Sequence, residues 1–168
     1  PPYAPAFIEL AEISLKLSDL QYLMHQLGPA IPEIATIVQE SIDSWMVEFD
    51  EGVAMQVEWD ERSGRTLMKC AIGQPDESVR ESIYRSLLNA NLLLTGVADV
   101  KLALSDVDDD VILIGDYELG SEPVEGLHKR LSEFLGLAEK FSQMVAGTWS
   151  EDPLADPLRF AATNLDRA

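Results

Sequence analysis

Residues 78–94, S-V-R-E-S-I-Y-R-S-L-L-N-A-N-L-L-L, constrain the fold more than any other stretch. Val79, Ile83, Leu87, Ala90 and Leu94 recur at steps of four, four, three and four, which places them on one face of a helix. Tyr84, Leu88 and Leu92 form a second stripe beside the first, and the last third is apolar almost all round. Such a helix needs cover on two sides. The chain's own sheet can supply one side and a second copy of the chain the other. Ser78 and Glu81 have the spacing of a capping box, which predicts the helix start.

The flanking segments supply the sheet. From Trp45 the period changes to two: Trp45, Val47 and Phe49, then Val53, Met55, Val57 and Trp59, then residues 67–72. Turn signals at Glu51-Gly52 and Ser63-Gly64 separate these runs, so they read as an antiparallel meander. Two further strands are expected at residues 100–104 and 111–119, kinked at Gly115. Ser121-Glu122-Pro123 then opens a long helix. Its stripe of Val124, Leu127, Leu131, Phe134, Ala138, Phe141 and Val145 steps three and four without a miss, and Gly147 ends it. Before Trp45 the pattern is less regular. Residues 7–17 fit either helix or strand. Ser18 with Gln21 marks a helix running to Gly28-Pro29, and Pro32 introduces a second short helix over residues 33–42.

The expected class is α+β: an antiparallel sheet of about five strands with helices before, between and after it. Residues 1–17 form an N-terminal extension, residues 18–146 a single domain and residues 147–168 a weakly ordered tail.

Charge narrows the function. Thirty acidic residues stand against twelve basic ones, a net charge of −18. That argues against phosphate-binding patches for nucleic acid and against adhesion to anionic membranes, and it suits a neutral or basic protein partner. No apolar run is long enough to insert in a membrane. The opening P-P-Y-A-P-A-F lacks the basic start and apolar core of a signal peptide. The lone cysteine, Cys70, lies in the apolar run L-M-K-C-A-I and reads as a buried thiol.

Catalytic and metal chemistry find little support. His25 and His128 have no Cys or His at ligand spacing. Asp106, Asp108 and Asp110 alternate as in a calcium loop, but the sixth position is Val111 and the twelfth Tyr117, so a solvated hairpin loop fits better. No nucleophile elbow, zinc-binding helix or phosphate loop is present. No catalytic residue, metal or cofactor is expected. Five methionines supply adaptable apolar surface of the kind that accepts varied sequences. A binding module is favoured over an enzyme.

The segments L-L-N-A-N-L-L, V-K-L-A-L-S-D-V-D-D-D-V-I-L-I-G-D-Y-E-L, the long helix with A-E-K-F, and F-D-E-G-V-A-M-Q-V-E-W-D resemble the type III secretion chaperones of the Tir chaperone (CesT) family. The resemblance covers about residues 45–145. It implies a homodimeric, ATP-independent chaperone of the bacterial cytoplasm. Such a chaperone binds the N-terminal segment of a secreted effector in extended form, partly by strand addition, and helps deliver it for export, with the secretion ATPase as a further partner. It implies a dimer interface at Ile83, Leu87, Leu88, Asn91 and Leu92. Client contacts map onto Leu20, Leu23, Met24, Leu27, Val53, Met55, Val57 and Trp59. A same-fold module that sequesters a transcription or secretion regulator is the alternative. The chain departs from the family in its long N-terminal portion, and Ile13–Leu17 are expected to occupy part of the client surface until a client displaces them.

Overall fold

The alternation that starts near Trp45 becomes a run of antiparallel strands joined by tight turns. A computed structural model describes residues 17–28, 31–50, 52–95, 99–118 and 124–148. The elements are α1 over residues 17–28, β1 (Ile34–Gln39), β2 (Ser44–Phe49), β3 (Ala54–Asp60), β4 (Arg65–Gly73), α2 (Arg80–Leu94), β5 (Val100–Leu104), β6 (Val111–Tyr117) and α3 (Val124–Val145). The strands form one sheet in the order β1-β2-β3-β4-β6-β5, which leaves β1 and β5 at its edges. By contacts the chain divides into two compact units, residues 1–68 with 117–128, and residues 69–116 with 129–168.

In the first unit, β2 and β3 set Trp45 opposite Val57 and Val47 opposite Met55. All four side chains are buried, as are Leu20, Leu23, Met24 and Leu27 of α1. The pairs on one face of a ladder are what stabilises it, and here they are also the core. Their alternating neighbours Met46, Gln56 and Glu58 are only half-buried. Gln21 of α1 donates its side-chain amide to the Ile42 carbonyl (2.9 Å), which ties the helix to the β1–β2 hairpin. The β3–β4 turn places Gly64 at φ +64°, a conformation other residues adopt at a cost.

The second unit joins α2 to the β5–β6 hairpin. Leu102 lies opposite Leu113 and both are buried. β6 alternates regularly, with Val111, Leu113, Gly115 and Tyr117 inward, and it runs through Gly115 as one strand, without the expected kink. The acidic loop closes through a bond from the Ser105 N–H to the Asp110 carbonyl (2.8 Å). The Ser105 hydroxyl and then the Asp110 amide hold the Asp108 carboxyl below the usual range. Among the described residues no group of three His, Cys, Asp or Glu could hold a metal ion. The Cys70 thiol is buried and its pKa is raised by that burial.

In α3 the expected stripe is buried from its second residue on: Leu127, Leu131, Phe134, Ala138, Phe141 and Val145 are buried, and Val124 is half-buried. The helix ends as a Schellman motif. The Gly147 N–H reaches the Met144 carbonyl (3.1 Å) and the Thr148 N–H the Gln143 carbonyl (2.9 Å), with Gly147 at φ +69°. No helix among the described residues is long and apolar enough to cross a membrane.

Three local expectations are corrected. Residues 33–42 do not form a helix; Ile34–Gln39 are β1, so the sheet has six strands rather than about five. Thr36, Ile37 and Val38 are consecutive β-branched residues, stiff at χ1 and suited to a strand, and β2 offers an edge for them to pair with. The Ser78 capping box does not form, because Ser78 gives both its N–H (2.8 Å) and its hydroxyl (2.6 Å) to Asp76 Oδ1. Val79 occupies the cap position and Glu81 pairs instead with Arg85. At the first helix, residue 17 is already helical and the Gln21 amide is engaged with Ile42, so Ser18 and Gln21 do not open it as a box. The readings on residues 1–16, Gly96, Leu119, residues 121–123 and residues 149–168 lie outside the described residues.

The Asp76 contact makes a pH prediction. Its bonds from the Ser78 side chain and backbone lower the Asp76 pKa, so this exposed carboxylate holds the lead into α2 above the pKa of the unfolded chain. The hold is lost as pH falls through the lower, folded pKa. Protection of the Ser78 amide, its exchange measured against the intrinsic rate at each pH, should therefore fall only below about pH 4, whereas Asp76→Asn should remove that pH dependence. An unchanged profile in the variant would refute the assignment.

Candidate functional site

The two apolar stripes of α2 meet different fates. Leu87, Ala90 and Leu94 of the first stripe are buried. In the second, Leu88 is 69% exposed and Leu92 74%, and Leu104 on β5 is 50% exposed. Tyr84, Leu87, Leu88, Asn91, Leu102 and Leu104 line a shallow groove of about 320 Å³ between α2 and β5. Asn91 sets the floor of that groove. Its side-chain nitrogen donates to the Leu102 carbonyl (2.9 Å) and its oxygen accepts from the Leu102 N–H (2.7 Å). One amide thus satisfies both backbone groups of a buried strand residue and fixes the helix against β5. Apolar side chains gathered on one exposed face, unlike single scattered ones, mark an interaction surface.

A second groove lies in the first unit, between α1 and β1. Met24, His25, Gly28, Ile34, Ile37 and Trp45 are among the residues that line it, and its volume is about 310 Å³. β1 differs from its neighbours in having no fully buried residue. Its ladder to β2 bonds through even-numbered positions: the Glu40 N–H reaches the Ser44 carbonyl (2.9 Å), and Val38 faces Met46 in register. In an antiparallel pair the residues in between turn their N–H and C=O away. Ile37 and Gln39 therefore point their backbone groups at the outer edge, where no described strand pairs with them.

Residues 40–142 match the Tir chaperone protein (CesT) family, more than half of the chain. The chain belongs to this family. No curated protein sequence matches it. Two solved structures share the fold. The crystal structure of the ExsC–ExsE complex matches with a TM-score of 0.61 at 17% identity, over 77% of this chain and 95% of that one. The structure of the HopA1–SchA chaperone–effector complex matches with a TM-score of 0.56 at 15% identity, over 74% of this chain and 93% of that one. The family match begins after β1, so α1 and β1 precede it.

For a member of this family the residues expected at the dimer interface divide into two groups. Leu88 and Leu92 are exposed on one helix face, one turn apart. Leu87 is 5% exposed and belongs to the core; Ile83 and Asn91 are half-buried, the latter engaged with Leu102. Of the residues expected to touch a client, Leu20, Leu23, Met24, Leu27, Met55, Val57 and Trp59 are buried, and only Val53 reaches the surface. Met24 alone of this set lines the α1–β1 groove. Tyr84 was legible as part of the second stripe, but Leu104 and the whole outer edge of β1 were not expected to take part in a site. The edge was hidden by the helical reading of residues 33–42, although I-A-T-I-V-Q carries a β-branched signal.

Proposed function

We propose that this chain is a bacterial cytoplasmic, ATP-independent chaperone that binds the N-terminal segment of a type III secreted effector. It keeps that segment extended and competent for export and helps target it to the export machinery. The observation that carries the reading is β1: an edge strand with outward backbone groups at Ile37 and Gln39, beside a groove that presents both polar and apolar atoms. An extended segment adds there as a further strand, and its alternate side chains enter the groove. The buried set on α1, β2 and β3 holds the groove's shape. The α2–β5 face, with Leu88, Leu92 and Leu104, joins two copies about a twofold axis. Family membership supports both parts, and the HopA1–SchA structure is itself that of a chaperone–effector complex.

Gln39→Pro tests the strand addition. Proline is tolerated on an edge strand and removes only the outward N–H of an exposed residue. The fold should persist while client affinity falls about 30-fold, from one lost hydrogen bond and the acceptor it strands. Equal affinity by titration would contradict strand addition at this edge. Purification of the tagged chain from its host should yield one or a few proteins held through their N-terminal segments. A transcription regulator held without export would favour the sequestering alternative.

A further inference from the structure

We infer that the segment taken up along β1 is cationic: an extended stretch of another protein in which apolar residues alternate with Lys or Arg. The inference rests on the reading of β1 as the edge to which that segment adds. Residues 17–61 contain ten Asp or Glu and no Lys or Arg. The balance changes beyond them, with nine basic residues against fourteen acidic ones over residues 62–148. The cation-free run covers the elements that line the groove, α1, β1 and β2, and continues through β3.

Carboxylates stand at both ends of β1. At one end Glu33 is exposed, and the Asp50 N–H bonds its carbonyl (3.0 Å), which brings a second exposed acid beside it. At the other end Glu40 and Asp43 belong to the β1–β2 turn. Glu40 accepts from the Ser44 hydroxyl (3.4 Å) and the Gln56 amide (3.3 Å), neutral donors that leave its charge uncompensated. A strand laid along β1 advances about 3.4 Å per residue and turns every second side chain to the same face, so cations about six or eight residues apart meet both ends. Complementary charge of this kind selects a partner and speeds its capture.

Other occupants fit the charge less well. Residues 1–16 carry Glu9 and Glu12 against Lys16, and residues 149–168 carry four acids against two arginines. A second copy brings a net charge of −18. Each places like charge against the rim.

Titration calorimetry with three synthetic peptides tests the inference. They share one alternating Val/Leu pattern and differ at the intervening positions, which carry Lys, Gln or Glu. The Lys peptide should bind about tenfold more tightly than the Gln peptide, and the Glu peptide should bind weakest. The difference should collapse at about 0.5 M salt, where charges are screened within a few ångströms. The variant Glu33→Gln/Glu40→Gln/Asp50→Asn should abolish the preference while leaving the Gln peptide's affinity unchanged. Gln39→Pro should weaken all three peptides alike. Equal, salt-insensitive binding of the three, still weakened by Gln39→Pro, would overturn the charge selection and leave strand addition standing. Failure of every peptide to bind, or indifference of all three to Gln39→Pro, would overturn strand addition and this inference with it.

Discussion

Leu88→Lys/Leu92→Lys yields a folded monomer. Both side chains are largely exposed in the single chain, so its own stability should move by no more than about 0.5 kcal/mol. Lys is as good a helix former as Leu, so α2 persists. In the proposed dimer the same positions occur twice across a twofold interface, and four leucines would lose their burial together. At about 1.5 kcal/mol each, that is about 6 kcal/mol of association energy, or roughly a ten-thousandfold weaker dimer. Sedimentation across a concentration series, with circular dichroism as the fold control, measures both quantities. A dimer that survives the substitution would remove the α2–β5 face from the assembly.

Asn91→Ala should destabilise the chain itself. Leu102 is buried, and both its N–H and its C=O end on the Asn91 amide. Alanine leaves two backbone groups in a position water barely reaches, at about 1–3 kcal/mol for each orphan. The expected loss is about 3 kcal/mol, seen as a melting temperature lower by about 10 °C for a chain of this size. The comparison belongs in the Leu88→Lys/Leu92→Lys background, where association does not add to apparent stability. The Leu102 amide should also exchange faster with solvent. A melting temperature within a degree of the parent would contradict the role assigned to Asn91.

The contrast between these two substitutions shows what the sequence can express. Periodicity put Leu87 and Leu88 on adjacent stripes of one helix and required cover for both. Only the fold shows that Leu87 is satisfied within the chain while Leu88 is not. Asn91 sits among leucines, and nothing local distinguishes an amide aimed at a partner copy from one aimed at β5. Long elements were legible because their pattern repeats. α3 restates its stripe over about six turns, and the β2–β4 meander alternates between turn signals. β1 was not legible as a strand. Ile34, Ile37 and Val38 fall at three- and four-residue spacing, as on a helix, and an edge strand with no fully buried residue carries no alternation to oppose that reading.

The cap of α2 failed for a different reason. Ser78-x-x-Glu81 has the right spacing, but Asp76 lies two residues nearer the loop and takes both donors of Ser78. The client residues illustrate a general ambiguity. Strong apolar alternation at Met55, Val57 and Trp59 marks the face of the strand that is hidden, and that face is the core itself. A receiving surface built from backbone groups, as at Ile37 and Gln39, leaves little trace in side-chain pattern.

If this chain holds an exported protein for the secretion machinery, export of that protein should depend on the chain, which is measured with and without it. In cells lacking the chain, the protein that co-purifies with it should disappear from the culture medium while other exported proteins remain. Export should return with the parent chain and only weakly with Gln39→Pro. Undiminished export of that protein in the absence of the chain would contradict the account.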